Sequence, residues 1–143
     1  MIHVLPHEVP NLTNYWALAK ISLAQLNRLT PHQFIALGLV ATQDVMSFKD
    51  LRRVLALPMS SFTFLVDRLE KRILVKRERA INDRRQWLLR VTPDGKKLVS
   101  DMKEKEPAVL QSLLSLVPPD EKVELSEALN RLSSPARESN QTA

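Results

Sequence analysis

The sequence contains no cysteine, only two glycines and no long apolar run. Without cysteine, the 143-residue chain can form neither disulfides nor thiolate metal sites, and thiol oxidation cannot regulate it. No apolar run approaches the roughly 18 residues that a membrane helix requires. The N-terminal residues also lack the basic region and apolar run of a secretory signal. We therefore expect a cytoplasmic protein without a membrane segment.

Patterns of catalytic and metal-binding residues are lacking as well. The histidines are His3, His7 and His32, and only Glu8 lies near the first two at ligand spacing. Solvated histidines are a simpler interpretation of these positions than a metal site. No Ser-His-Asp arrangement and no Gly-rich phosphate loop is present. The sequence thus predicts no enzyme, no metal site and no cofactor.

Basic residues are concentrated in the middle of the chain. The whole sequence has a net charge of +5, but residues 47–105 contain 16 Lys and Arg against 8 Asp and Glu. The remainder of the chain is therefore slightly acidic. This asymmetry suggests a polyanionic partner, although a basic face that is merely solvated would give the same count.

The basic segment contains the pattern of a helix followed by a hairpin. Apolar residues recur at helical spacing on one face, at Phe62, Leu65, Val66, Leu69 and Ile73. Two short runs, 75–79 and 87–91, have strand character, and Asn82-Asp83 marks a turn between them. Arg84 and Arg85 follow that turn. A helix with a polar outer face before an arginine-tipped hairpin predicts a winged helix-turn-helix, which binds DNA through both grooves.

Helices are predicted on both sides of this segment. Thr30-Pro31 and Gln33 form a capping box, and Ser47 begins a further helix. Beyond the hairpin, Thr92 caps another helix, which Pro107 is expected to end or kink. The predicted fold is mainly α with a small β-hairpin wing. Its regions are an N-terminal arm and dimerisation helix (1–29), a DNA-binding lobe (30–92), C-terminal dimerisation helices (93–132) and a disordered tail (133–143).

The terminal helices suggest a homodimer. A winged helix can close its core without them, and the first helix is apolar on more than one side. These helices can cover each other and the same helices of a second subunit. A monomer with the helices folded back is the alternative.

Two segments, LTPHQFIAL and LVDRLEKRILVKRERAINDRRQWLLRVTPDG, resemble the MarR (multiple antibiotic resistance regulator) family of bacterial transcription regulators. The resemblance covers residues 29–98 with definite motifs. It implies a dimeric winged-helix protein that binds near-palindromic double-stranded DNA. It also implies release of DNA by a small anionic or phenolic effector, which no residue of this chain identifies.

Three groups of residues are candidates for DNA binding, and the resemblance assigns the first two. In the recognition helix they are Ser60, Ser61, Thr63, Phe64 and Arg68. In the wing, Arg84 stands at the family's minor-groove arginine, beside Arg85, and Asp83 matches an acidic residue that orients nearby arginines. The basic segment itself suggests phosphate contacts from Lys49, Arg52, Arg53 and Arg77.

The sequence departs from the family at Phe64, Ile73 and Ala56. Phe64 stands where arginine or another polar residue is common, so it contacts thymine methyl groups, contacts another part of the protein or is merely exposed. Ile73 and Ala56 replace glycines. We expect the helix to end differently at Ile73 and its side chain to join the core.

Two functions are consistent with these patterns. The first is a dimeric, sequence-specific DNA-binding regulator that acts as a repressor. The alternative is a winged-helix dimer that serves as a protein-interaction module, with Phe64 exposed for a protein partner and only weak, non-specific binding to DNA.

Overall fold

The computed structural model describes the backbone of residues 12–133 and most side chains from residue 17 onwards. Its helices are α1 (Leu12–Leu26), α2 (Pro31–Gln43), α3 (Phe48–Leu55), α4 (Met59–Lys71), α5 (Pro93–Leu114) and α6 (Pro119–Ser133), and its strands are β1 (Val45–Ser47), β2 (Val75–Arg79) and β3 (Trp87–Val91). This confirms the predicted fold class. The predicted N-terminal arm and the tail beyond residue 133 lie outside the described residues. Ser133, expected to begin the tail, is instead the last residue of α6.

The described residues divide into two compact units. Residues 24–103 form one, with the helix-turn-helix, the sheet and the start of α5. The flanking residues 12–23 and 104–133 belong to the other. Its small apolar core consists of Ala19, Leu110, Leu114, Val117, Leu125 and Ala128. No helix in the described part of the chain is both long and apolar enough to cross a membrane.

The predicted helix caps are confirmed at three places in the larger unit. The Thr30 hydroxyl accepts from the Gln33 backbone N–H at 3.2 Å, and the Gln33 side chain accepts from the Thr30 N–H at 3.0 Å. The Ser47 side chain likewise accepts from the Asp50 N–H. The Thr92 hydroxyl caps α5 by accepting from the Gly95 N–H at 3.0 Å. These bonds satisfy donors that helix starts leave open.

The sheet has three antiparallel strands in the order β1-β3-β2. The sequence predicted the hairpin of β2 and β3 but not β1, which has only three residues. A strand this short cannot show an alternating pattern, and β1 forms only because Met46 pairs opposite Leu89 on β3. The strand ties the start of the helix-turn-helix to the base of the wing.

Helix α5 continues through Pro107, so of the two expected effects of this proline the end of the helix is wrong, and the kink stays a prediction. Proline removes one hydrogen bond from the helix interior, at a cost of about 3 kcal/mol. The turns after Pro107 bury Leu110 and Leu114 in the core of the smaller unit, and this burial offsets that cost.

Ile73 does not join the core, and that expectation is also wrong. Its φ of 58° lies in the left-handed region, and its side chain is 65% exposed. The helix ends there as it would with glycine, because the Ile73 and Leu74 N–H groups donate to the carbonyls of Glu70 and Leu69 at 2.8 and 3.1 Å. Ala56 is left-handed too, with φ 51°. Both positions where the resemblance implies glycine thus have the left-handed backbone that glycine favours.

We expect Ile73→Gly to stabilise the protein by about 1 kcal/mol, because glycine avoids the left-handed strain and little buried area is lost. Urea unfolding at fixed protein concentration measures this change. Ile73→Ala is the matched control, since alanine removes most of the side chain but keeps the strained Cβ. Equal stabilities of the glycine and alanine variants would contradict the role of backbone strain.

Candidate nucleic-acid interface

Helix α4 separates a buried face from an exposed face. Phe62, Leu65, Val66 and Leu69 are buried in the larger unit. The residues that the family resemblance assigned to DNA are all exposed, namely Ser60, Ser61, Thr63, Phe64 and Arg68. No side chain caps the start of α4 at Pro58. The first N–H groups of the helix are therefore open to an anionic partner such as a phosphate.

Phe64 contacts Arg68 one helical turn further along α4. The Arg68 guanidinium carbon lies 4.8 Å from the centre of the Phe64 ring, which is 59% exposed. This contact agrees with the interpretation that Phe64 contacts another part of the protein. A cation–π contact at an exposed site contributes about 0.5–1 kcal/mol. Phe64 therefore restricts the directions in which the Arg68 guanidinium can point.

We expect Phe64→Ala to change the preferred DNA sequence more than the salt dependence of binding, because it releases Arg68 but removes no charge. The expected loss of affinity for the preferred sequence is about 1 kcal/mol. Selection from a random duplex library measures the preference. Phe64→Tyr, which keeps the aromatic face, is the control. An unchanged consensus with Phe64→Ala would exclude a role in base reading.

The loop between β2 and β3 is held by its own hydrogen bonds. The Ala80 N–H donates to the Gln86 carbonyl, and the Gln86 N–H donates to the Asp83 carbonyl, both at 3.0 Å. The Asp83 carboxylate accepts from the Arg85 backbone N–H at 3.0 Å. The Asp83 carboxylate thus holds the loop backbone at Arg85. Within the described part of the chain, the exposed Arg84 guanidinium has no partner.

The predicted phosphate-binding residues differ in the partners that their charged groups have. Lys49 is exposed and has no ionic partner among the described residues. Arg52 donates to the Leu57 carbonyl at 3.3 Å, and Arg53 pairs with Asp50 at 3.1 Å on the surface. Exposed contacts of this kind contribute little to stability. A phosphate can therefore replace them readily. These side chains remain available to a polyanion.

Arg77 is held more firmly than the others. Its side chain is 27% exposed, and its guanidinium pairs with Asp67 and, at 3.0 Å, with Glu70, both on α4. This network joins β2 to the recognition helix. A phosphate would have to compete with two carboxylates, so we expect Arg77 to contribute less to DNA affinity than Lys49 or Arg52.

A second ion pair neutralises one positive charge of the hairpin. Arg90 on β3 donates to Glu78 on β2 at 2.7 Å. This hydrogen bond and the charge of Arg90 hold the pKa of the Glu78 carboxyl below its usual range, so the pair stays ionised at neutral pH. Four basic side chains of the hairpin have no carboxylate partner within the described part of the chain, namely Lys76, Arg79, Arg84 and Arg85.

A cleft of about 950 Å³ opens between α3, the start of α4 and the wing. Its lining combines basic side chains of α3 and the wing with apolar ones. The lining residues include Lys49, Arg52, Arg53, Met59, Phe62, Thr63, Arg85 and Trp87. The cleft therefore brings together part of the predicted set, namely Lys49, Arg52, Arg53, Thr63, Arg77 and Arg85. The other predicted residues do not line it, namely Ser60, Ser61, Phe64, Arg68, Asp83 and Arg84.

Two residues at the loop end of the hairpin were not predicted as functional, Arg79 and Trp87. They lie opposite each other in the hairpin register, and the Arg79 guanidinium carbon is 3.6 Å from the centre of a Trp87 ring. The symmetric placement of these residues about the loop is a sequence signal, because cross-strand neighbours of a hairpin contact each other.

Comparison with known proteins agrees with this geometry. Residues 29–86 match the model of the MarR family. The chain is 33% identical over 101 residues to the HTH-type transcriptional regulator YfiV of Bacillus subtilis, covering 71% of this chain and 63% of that protein. The chain thus spans less than two thirds of the length of this relative.

Solved structures share the fold. Wild-type apo MarR from E. coli superposes with a TM-score of 0.68 at 20% identity, over 92% of this chain and 98% of that chain. BpsR of Bordetella bronchiseptica, whose DNA binding is regulated by 6-hydroxynicotinic acid, gives a TM-score of 0.55 at 26% identity, over 87% and 97% of the two chains. The family match over residues 29–86, the sequence relative and the shared fold agree with the motifs of the wing, and the chain is similar to proteins of the MarR family.

Proposed function

We propose that this protein is a sequence-specific DNA-binding transcription regulator that acts as a homodimer. The observation that carries the proposal is the surface shared by α4 and the wing. The exposed face of α4 has the size and polarity to enter a major groove. The Arg84 guanidinium has no partner among the described residues, and its loop is held by its own hydrogen bonds, which suits insertion into a minor groove.

The free cations of the larger unit support the same proposal. Lys49, Arg68 and Arg84 have no carboxylate partner among the described residues. They lie on α3, α4 and the wing, the three elements that contact DNA in winged-helix proteins. Neutralising phosphates with such side chains releases counterions, so the binding is expected to weaken steeply with salt.

The homodimer is supported by apolar side chains that the smaller unit leaves exposed. Leu18 and Ile21 on α1 are 47% and 40% exposed, and Val123 on α6 is 67% exposed. Exposed aliphatic groups on helices at both ends of the chain favour burial against a second copy. A two-fold dimer also presents two recognition helices to a near-palindromic site.

Selection of bound fragments from the host genome tests the proposal. We expect one recurring near-palindrome with half-sites about one helical turn apart, which is roughly 10 base pairs. Binding that is weak, falls with salt and shows no recurring sequence would favour the alternative of a protein-interaction module. Sedimentation of the protein and of its complex with the recovered duplex gives the stoichiometry, for which we expect two chains per site.

Repression and release by a small anionic or phenolic ligand are further parts of the proposal. Control by a ligand is supported by BpsR, whose DNA binding is regulated by 6-hydroxynicotinic acid. Transcription from a promoter that overlaps the recovered site should fall when the protein is added. Titration of salicylate-like anions into the protein–DNA complex tests release, and an intact complex at saturating ligand would count against that class.

A further inference from the structure

Arg79 makes two contacts at once beside the wing loop. Its guanidinium carbon lies 3.6 Å from the centre of a Trp87 ring, and its Nη1 donates to the Arg84 carbonyl oxygen at 2.7 Å. A guanidinium is planar and donates in its own plane, so stacking on the ring fixes the direction of the hydrogen bond. Arg79 therefore holds the backbone of the residue proposed to enter the minor groove.

Trp87 is itself connected to the recognition helix. Its ring centre lies 6.3 Å from that of Phe48, the first residue of α3, with a tilt of 31°. Phe48 packs edge-on against Phe62 at 5.4 Å, and Phe62 is buried on the inner face of α4. Both distances fall within the range of favourable aromatic pairs. A continuous series of contacts thus runs from the core face of α4 to the wing loop.

We propose that Arg79 is a positioning residue that fixes Arg84 relative to the recognition helix. The proposal rests on the proposed function, because it takes Arg84 as the minor-groove probe. A loop that is ordered before binding loses less conformational entropy when DNA is bound. Arg79 acts here through Arg84, using Trp87 as a platform, and need not touch DNA itself.

A double-mutant cycle of Arg79→Lys and Arg84→Ala tests this role, with affinity for the recovered operator as the measurement. Lysine keeps the charge but cannot stack and donate as a planar group. We expect Arg79→Lys to weaken operator binding about 5-fold while affinity for a random duplex and the salt slope stay unchanged. In the Arg84→Ala background, Arg79→Lys should cause no further loss. Trp87→Leu should give the same pattern, whereas Trp87→Phe should keep most of the affinity.

Arg90→Lys is the matched control, since Arg90 lies in the same hairpin but pairs with Glu78. It should leave the preference for the operator unchanged. Equal losses from Arg79→Lys in both backgrounds, or no loss in either, would overturn the positioning role. These outcomes leave the proposed function intact, because they are measured on an operator that the protein has selected. If no recurring sequence is recovered at all, both proposals are overturned.

Discussion

Gly95→Ala is expected to destabilise the protein by about 3 kcal/mol, because the new methyl group has no space. A Cβ at this position would overlap the Leu74 carbonyl oxygen and lie 2.9 Å from a Val91 methyl carbon. The overlapped atom belongs to the backbone, so it cannot move aside like a flexible side chain. The Leu74 carbonyl also accepts from the Thr92 N–H at 3.1 Å. Relief of the clash would therefore disturb the junction of α4, the wing and α5.

Urea unfolding at fixed protein concentration measures this loss, since the proposed dimer would make stability depend on concentration. Gly38→Ala is the matched control, because the chain has only these two glycines. Gly38 is inside α2, and a Cβ there would meet nothing within 4 Å. Alanine favours a helix interior over glycine by about 0.5–1 kcal/mol, so this variant should be stabilised. A Gly95→Ala protein as stable as wild type would contradict the close approach at Leu74.

The sequence predicted part of the fold. Helical periodicity and capping residues predicted α2, α3, α4 and the start of α5, because these signals depend on neighbours in the chain. The left-handed Ile73 was not predicted, since the family pattern had glycine there and isoleucine is a poor residue for that conformation. Its carbonyl accepts from the Thr92 hydroxyl at 2.6 Å, a contact between residues 19 positions apart. Tertiary contacts of this kind hold a backbone that local preference disfavours.

The candidate site could likewise be predicted from the sequence only in part. The exposed face of α4 followed from its period, and the structure places every predicted residue of that face in solvent. The contact of Phe64 with Arg68 could also have been predicted, because residues four apart on a helix are neighbours. The ion pairs of Arg77 with Asp67 and Glu70 required the docking of β2 against α4. A charge count cannot distinguish such a paired arginine from Arg84, which has no carboxylate partner among the described residues.

Arg84→Ala is expected to weaken binding to the operator by about 1–3 kcal/mol, a loss in the range of roughly 5- to 150-fold. The side chain is exposed and unpaired among the described residues, so its removal should leave the stability of the free protein unchanged. Alanine also keeps the backbone carbonyl that accepts from Arg79. The loss would thus report the contact with DNA and not a collapse of the wing.

Binding of both proteins to two duplexes measures this effect, one duplex with A·T-rich flanks at the wing positions and one with G·C-rich flanks. A narrow A·T-rich minor groove has an enhanced negative potential that attracts arginine. Wild type should therefore prefer the A·T-rich duplex, and Arg84→Ala should lose that preference. Arg85→Ala is the comparison, because Arg85 lines the cleft beside α3 and should affect both duplexes alike. If Arg84→Ala also weakens both duplexes equally, Arg84 contacts phosphates and the reading of groove shape must come from another residue.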